Sequence, residues 1–284
     1  MRIFIVAIFI SAFLPRIIFS DETPSSGQAA VSESKAQPHS ICYFVPPSGW
    51  EIAKLVNPSP YIQIGFIGKG STLFRPSINL ALEEVDVNLK EYVKAVKEIH
   101  LSDPNTKCRD LGKFEMQAGE GRLLDITCTT AHGEIKQFQG LFVKDNIAYI
   151  LTIAVLKEDL PKYQSEMIKS IQSLSLIPDL YTPLADPQQR TELKDFFVKM
   201  ESDLPQESKK KQLEEMQKRL VEKYSQIGPH WQFLVLNEGV SKINQSQRQN
   251  QDQVQPNSEI LPASVSQQVS ETQQAFETRP ASQS

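Results

Sequence analysis

From Tyr61 the apolar positions alternate with polar ones: Ile62, Ile64 and Phe66 fall on one face of an extended run, and Ile78, Leu80 and Leu82 on one face of a second. Period two predicts a pair of half-buried strands joined by a turn. The period then changes. In NLKEYVKAVKEIHL, Leu89, Tyr92, Val93, Val96, Ile99 and His100 recur at helical spacing, so a helix over 88–101 is expected to lay this stripe on the sheet. Asn88 and Glu91 supply a capping box at its start, and Pro104 lies just beyond its end. Three more strands follow, near 108–116, 122–129 and 134–143, with turns at QAGEG, AHG and KDN. The stretch IAYILTIAV, 147–155, is apolar on both alternating faces except at Thr152, the composition of a strand in the middle of a sheet covered on both sides. Asp159 and Pro161 mark the start of another helix, whose stripe of Leu160, Tyr163, Met167, Ile171 and Leu174 packs back on that sheet. Upstream, ICYFVPPSGWEIAK opens the folded region at Ile41, with Trp50 as a core anchor after a Pro-Pro-Ser-Gly turn.

Beyond this α+β domain, 41–178, the pattern stays helical. Asp186 caps a helix with Pro187 in its first turn and Gln189 at the capping-box position; Leu193, Phe196, Phe197, Met200 and Leu204 form its stripe. A second helix, about 205–227, carries Leu213, Met216, Leu220, Tyr224 and Ile227 and stops at Gly228-Pro229. The two predict a helical hairpin extension over 186–243. The segment from His230 reads equally as a strand or a short helix. Phe197, Trp231 and Phe233 are its candidate interaction surface, the alternative being a small helical core. From 244 to 284 the chain is dominated by Gln, Ser and Asn, which predicts a disordered tail, so removal of 245–284 is expected to leave stability nearly unchanged.

Composition enters at the other end. Residues 1–20 hold one early charge, Arg2, an apolar core from Ile3 to Leu14, and Ser20 in a short final region, the layout of a signal peptide. Residues 21–40 are polar and small, a flexible linker. After Ser20 no stretch approaches the roughly 20 apolar residues of a membrane span. Export is therefore expected, to the periplasm or, alternatively, outside the cell, with no transmembrane segment in the mature chain. A net charge of −4 over 284 residues argues against nucleic acid as partner, since phosphate binding needs a concentrated basic face.

Candidate chemistry is sparse. Cys42, Cys108 and Cys128 lack metal-site or redox spacing; a disulfide between Cys108 and Cys128, across a hairpin centred near Ala118, is expected, with Cys42 pairing to either of them or three reduced thiols as alternatives. The glycine-rich GFIGKGSTLFRPS departs from a phosphate loop, because Gly65 and Gly68 are too close and a strand follows; it reads as a turn. His39, His100, His132 and His230 have no second ligand at metal spacing, and no catalytic fingerprint occurs. The chain reads as a protein with no catalytic residues, no metal and no cofactor, rather than as an enzyme.

The stretches PPSGWEIA at 46–53, the helix at 88–101 and AYILTIAVLKEDLPKYQSEMIKSIQSL at 148–174 resemble the PsbP-like fold family, which includes the extrinsic PsbP subunit of photosystem II, a small Ran-binding protein and DcrB-like periplasmic proteins. The resemblance spans roughly 41–177. It implies an antiparallel sheet flanked by helices and a non-catalytic binding or accessory role toward an unidentified envelope or secreted protein. A secreted protein acting on a host, or a hydrolase or ligand-binding protein with an unrecognised site, are the alternatives.

Overall fold

The computed structural model describes residues 40–54, 59–70, 74–131 and 133–254. The expected signal peptide over 1–20, the expected linker up to residue 39, His39, His132 and the expected tail from 255 lie outside the described residues. Two short pieces, β1 (Ile41–Tyr43) and β2 (Glu51–Ile52), precede β3 (Ile62–Ile67), β4 (Ser77–Glu84) and helix α1 (Leu89–Ser102). Four long strands follow: β5 (Thr106–Met116), β6 (Gly119–Thr130), β7 (Gly133–Lys144) and β8 (Ile147–Leu156). The chain then forms α2 (Leu160–Gln172), β9 (Ser175–Ile177), α3 (Pro187–Glu201), α4 (Gln206–Lys223) and α5 (Pro229–Val254). The main sheet is antiparallel throughout, in the order β2-β3-β4-β8-β7-β6-β5.

This is the expected α+β class, and β8 occupies the expected middle position. Each face of the sheet has its own core. Ile78, Leu80, Tyr149, Leu151 and Ile153 point toward α2 and meet Tyr163, Met167 and Ile171. Ala81, Leu124, Leu141 and Ile150 point the other way and meet Tyr92, Val93 and Val96 of α1. Covering both faces explains the unbroken apolar run of β8, since each such side chain contributes about 1.5–3 kcal/mol when removed from water. At Gly140 an added Cβ would lie 2.5 Å from Ile171 Cγ2, so the bare backbone of β7 lets α2 lie close. The long free edge, β5, is broken by a bulge between Asp110 and Lys113 and exposes Lys107, Arg109 and Lys113, features that discourage pairing with another chain.

Helix starts follow the sequence with two differences. Asn88 and Glu91 make the full capping box of α1. Asp186 caps α3 by accepting the Gln188 N–H, not through a box with Gln189. Asp159 makes no side-chain cap; a 3-10 turn over Lys157–Asp159 leads into α2 instead.

Three expectations are corrected. The extension is not a two-helix hairpin: the ambiguous segment from His230 is the start of a third helix, α5, which runs through 254 and so takes in the first residues of the expected disordered tail. Its buried Ser246 accepts a hydrogen bond from the Lys209 ammonium at 2.7 Å, so the helix is tied to α4 beyond residue 244. The Cys108–Cys128 disulfide is absent, and all three cysteines are free. The β5–β6 turn is the pair Gln117-Ala118, and the bulge adds an offset, so Cys108 stands opposite Ile126 and Cys128 opposite Thr106. The two thiols are diagonal neighbours on one face, and diagonal positions are too far apart for a relaxed bridge.

Candidate functional site

The helical extension has a core of its own. Leu193, Phe196, Phe197 and Met200 from α3, Met216 and Leu220 from α4, and Trp231 and Val235 from α5 pack around Tyr43 of β1 and Ile177 of β9. The short β1–β9 pair thus belongs to both parts of the molecule: Tyr43 enters the helical core while Cys42 and Phe44 enter the sheet core. Helix α5 is shared in the same way, because Phe233 packs against the sheet core two residues after Trp231 has entered the helical one.

This packing buries two of the three expected surface residues. Phe197 is 4% exposed and Trp231 is 0% exposed; the Trp231 indole N–H donates to Leu180 O at 3.0 Å. Phe233 is half-buried. The structure brings Phe197 and Trp231 into one cluster, the helical core, whereas Phe233 packs against the sheet core. For Phe197 and Trp231 the core alternative is the one realised.

The concave surface lies elsewhere on the same unit. Helices α3 and α4 are each held by α5 and leave between them a cleft of about 210 Å³. Phe196 and Met216 form its apolar floor; Glu192, Asp195 and Lys199 from α3, and Gln212, Glu215 and Arg219 from α4, line it above. Glu192 is already engaged, by the Tyr224 hydroxyl at 3.3 Å and by Lys223 at 3.7 Å. Asp195, Lys199, Glu215 and Arg219 are exposed, so their charge faces whatever enters. Charged residues on the solvent face of an amphipathic helix are so ordinary that the sequence marks none of them; only the splay of α3 from α4 makes them a site.

The sheet carries two further polar groupings. On the α2 side Asp125 is paired with Arg109 and Lys136; burial pushes its carboxyl up, but the hydrogen bonds and charges of Lys136 and Arg109 prevail and hold it below the usual carboxylate range. On the α1 side a buried row crosses three strands, with Asn79 opposite Thr152 and Thr152 opposite Gln139. Gln139 donates to the Thr152 hydroxyl at 3.1 Å and lies 3.4 Å from His100 Nε2, while Asn79 Oδ1 is buried with no hydrogen-bond partner among the described residues. Burial holds the His100 pKa below its ordinary value. Gly68 of the glycine-rich stretch lies close against Trp50: a Cβ there would sit 2.7 Å from Trp50 Nε1. Among the described residues no group of three His, Cys, Asp or Glu side chains is placed to hold a metal, and no helix is long and apolar enough to cross a membrane.

No protein-family model matches the chain, and no curated protein matches it. Solved structures do. LpqN of Mycobacterium tuberculosis, described as involved in cell envelope biogenesis, is 11% identical over 50% of this chain and 87% of its own, with a TM-score of 0.40. Cyanobacterial PsbP of Synechocystis is 10% identical over 54% of this chain and 98% of its own, with a TM-score of 0.35. The Ran-binding protein Mog1p of Saccharomyces cerevisiae is 17% identical over 46% and 83% of the two chains, with a TM-score of 0.32. These are likenesses in the arrangement of strands and helices over about half of this chain. No activity or partner follows from a likeness at this level.

Proposed function

We propose that this chain is an exported, non-catalytic accessory protein that binds a protein of the cell envelope through the cleft between α3 and α4. The observation that carries this reading is the cleft itself: an apolar floor of Phe196 and Met216 under exposed charges of both signs, on a unit whose aromatic residues are otherwise consumed in its core. A floor of that kind takes one apolar side chain of a partner, and the exposed carboxylates of Asp195 and Glu215 at the rim are available to a basic residue beside it. The apolar stretch of residues 3–14 supports export, with the periplasm as the destination. Described histidines support the non-catalytic reading, because His100 and His230 are each engaged in a buried structural contact.

The test is photo-crosslinking in intact cells from Asp195 and Glu215, each replaced by a photoreactive residue. A discrete crosslinked protein, lost when the other rim carboxylate is changed to Lys while the melting temperature stays the same, is the expected result. Crosslinking that matches a control position on the exposed face of α1, such as Lys94, would overturn the reading. Recovery of the crosslinked species from the medium instead of the envelope would move the site of action outside the cell.

A further inference from the structure

The helical unit meets the sheet domain at a polar contact that only a neutral ring can make. His230, second residue of α5, is 2% exposed, and its Nδ1 accepts the Phe44 backbone N–H at 3.2 Å. Around the ring stand Phe44, with centroids 4.6 Å apart, Tyr43 at 6.1 Å and Phe66 at 6.2 Å. A nitrogen that accepts a hydrogen bond carries no proton; in the imidazolium both nitrogens are donors, and Nδ1–H would confront the Phe44 N–H.

Among the described residues the elements packed on the ring offer an imidazolium no anionic partner. The titratable side chains of β1 are Cys42 and Tyr43, both pushed up to about 12 by burial and so uncharged throughout the acid range. Strand β3 has no ionisable residue, and neither does the 3-10 turn Ser225–Ile227 before α5. The first charged residue of α5 is Glu238, and it pairs with Lys242; α4, which packs on α5 through Gln232, ends in Glu222 and Lys223, both exposed, with Lys223 paired to Glu192. No carboxylate lies within ion-pair distance of His230 among the described residues.

We propose that His230 is an acid-sensitive latch: its protonation releases the first turn of α5 from β1 and uncovers the aromatic surface of Tyr43, Phe44 and Phe66. The inference is independent of the partner proposed above. Burial holds the His230 pKa down to about 3, against an ordinary 6.5. A depressed pKa means that docking is at full strength above pH 6.5 and weakens as the pH falls from there toward 3. Each opening takes up one proton in that window, so the opening constant rises about tenfold per pH unit.

Amide hydrogen exchange, corrected for intrinsic rates, tests this on the full chain. Below pH 6.5 the protection of the Phe44 and Gln232 amides is expected to fall about tenfold per unit while that of Leu151 and Ile153 in β8 holds. His230→Asn places an acceptor oxygen where Nδ1 stands and cannot be protonated; it is expected to lower protection at every pH, through the lost ring, and to abolish the slope. The same slope in the variant, no slope in the natural protein, or simultaneous loss at Phe44 and in β8 would each overturn the latch. If the variant does not fold, direct NMR titration of the His230 ring decides: an imidazole that becomes charged above pH 5 with the Phe44 contact intact also overturns it.

Discussion

Asn79 and Trp231 are both buried polar-capable side chains, and they stand in opposite energetic positions. The Trp231 indole finds Leu180 O, so its burial leaves nothing unsatisfied. Asn79 Oδ1 finds no partner among the described residues, and an orphaned buried acceptor costs about 1–3 kcal/mol. Asn79→Leu keeps the shape and removes the polar atom, so it is expected to raise stability by about 1–3 kcal/mol, measured as a higher denaturation midpoint with an unchanged denaturant slope. Neither environment is legible in the sequence. An Asn one position off an apolar alternation reads as solvent-facing, because that stretch of β4 does not disclose that a second layer covers its other face. Trp231 and Phe197 read as surface candidates for the converse reason: the core that consumes them is assembled from β1, β9 and three helices far apart in the chain.

Strands and helices were far more legible than side-chain environments. Strands β3 to β8 and helices α1 to α4 lie near where period and turn signals place them, because those signals are local, whereas the three-residue strand β9 carries too short a pattern to be read. The failures arose where a single residue of offset matters or where local signals tie. Pairing Cys108 with Cys128 requires a turn centred near Ala118, and the two-residue turn together with the bulge in β5 moves each thiol past its partner. Helix α5 begins with Pro229 directly after a stop signal at Gly228, and its Gln- and Ser-rich second half offers little apolar periodicity of its own. Its continuation has a measurable consequence. Truncation after Asn244 removes Ser246 and leaves the buried Lys209 ammonium without its hydrogen-bond partner, so it is expected to cost about 1–3 kcal/mol, read from chemical denaturation. A truncated chain as stable as the full one would show that α5 contributes nothing past residue 244.

At the scale of the whole molecule, the sheet domain and the helical unit are separate in chain order and joined in space. Tyr43 and Phe44 place adjacent side chains in different cores, Trp231 and Phe233 do the same, and the Tyr43 hydroxyl donates to Ile227 O across the junction. Shared residues couple the two units. At pH 7 the protein is expected to melt in one transition, with the calorimetric enthalpy equal to the van't Hoff value; two resolved transitions would show that the junction does not transmit stability.

The same junction sets a timetable. Strand β1 is made early in synthesis, yet its strand partner is β9 and the acceptor of the Phe44 N–H is His230, which lies 186 residues later. At a synthesis rate of about 5–20 residues per second, His230 follows Phe44 by roughly 10–40 s. Through that interval Tyr43, Phe44 and Phe66 are apolar surface awaiting cover. Until α5 arrives, a chain whose sheet strands are already complete therefore still presents apolar surface that favours aggregation.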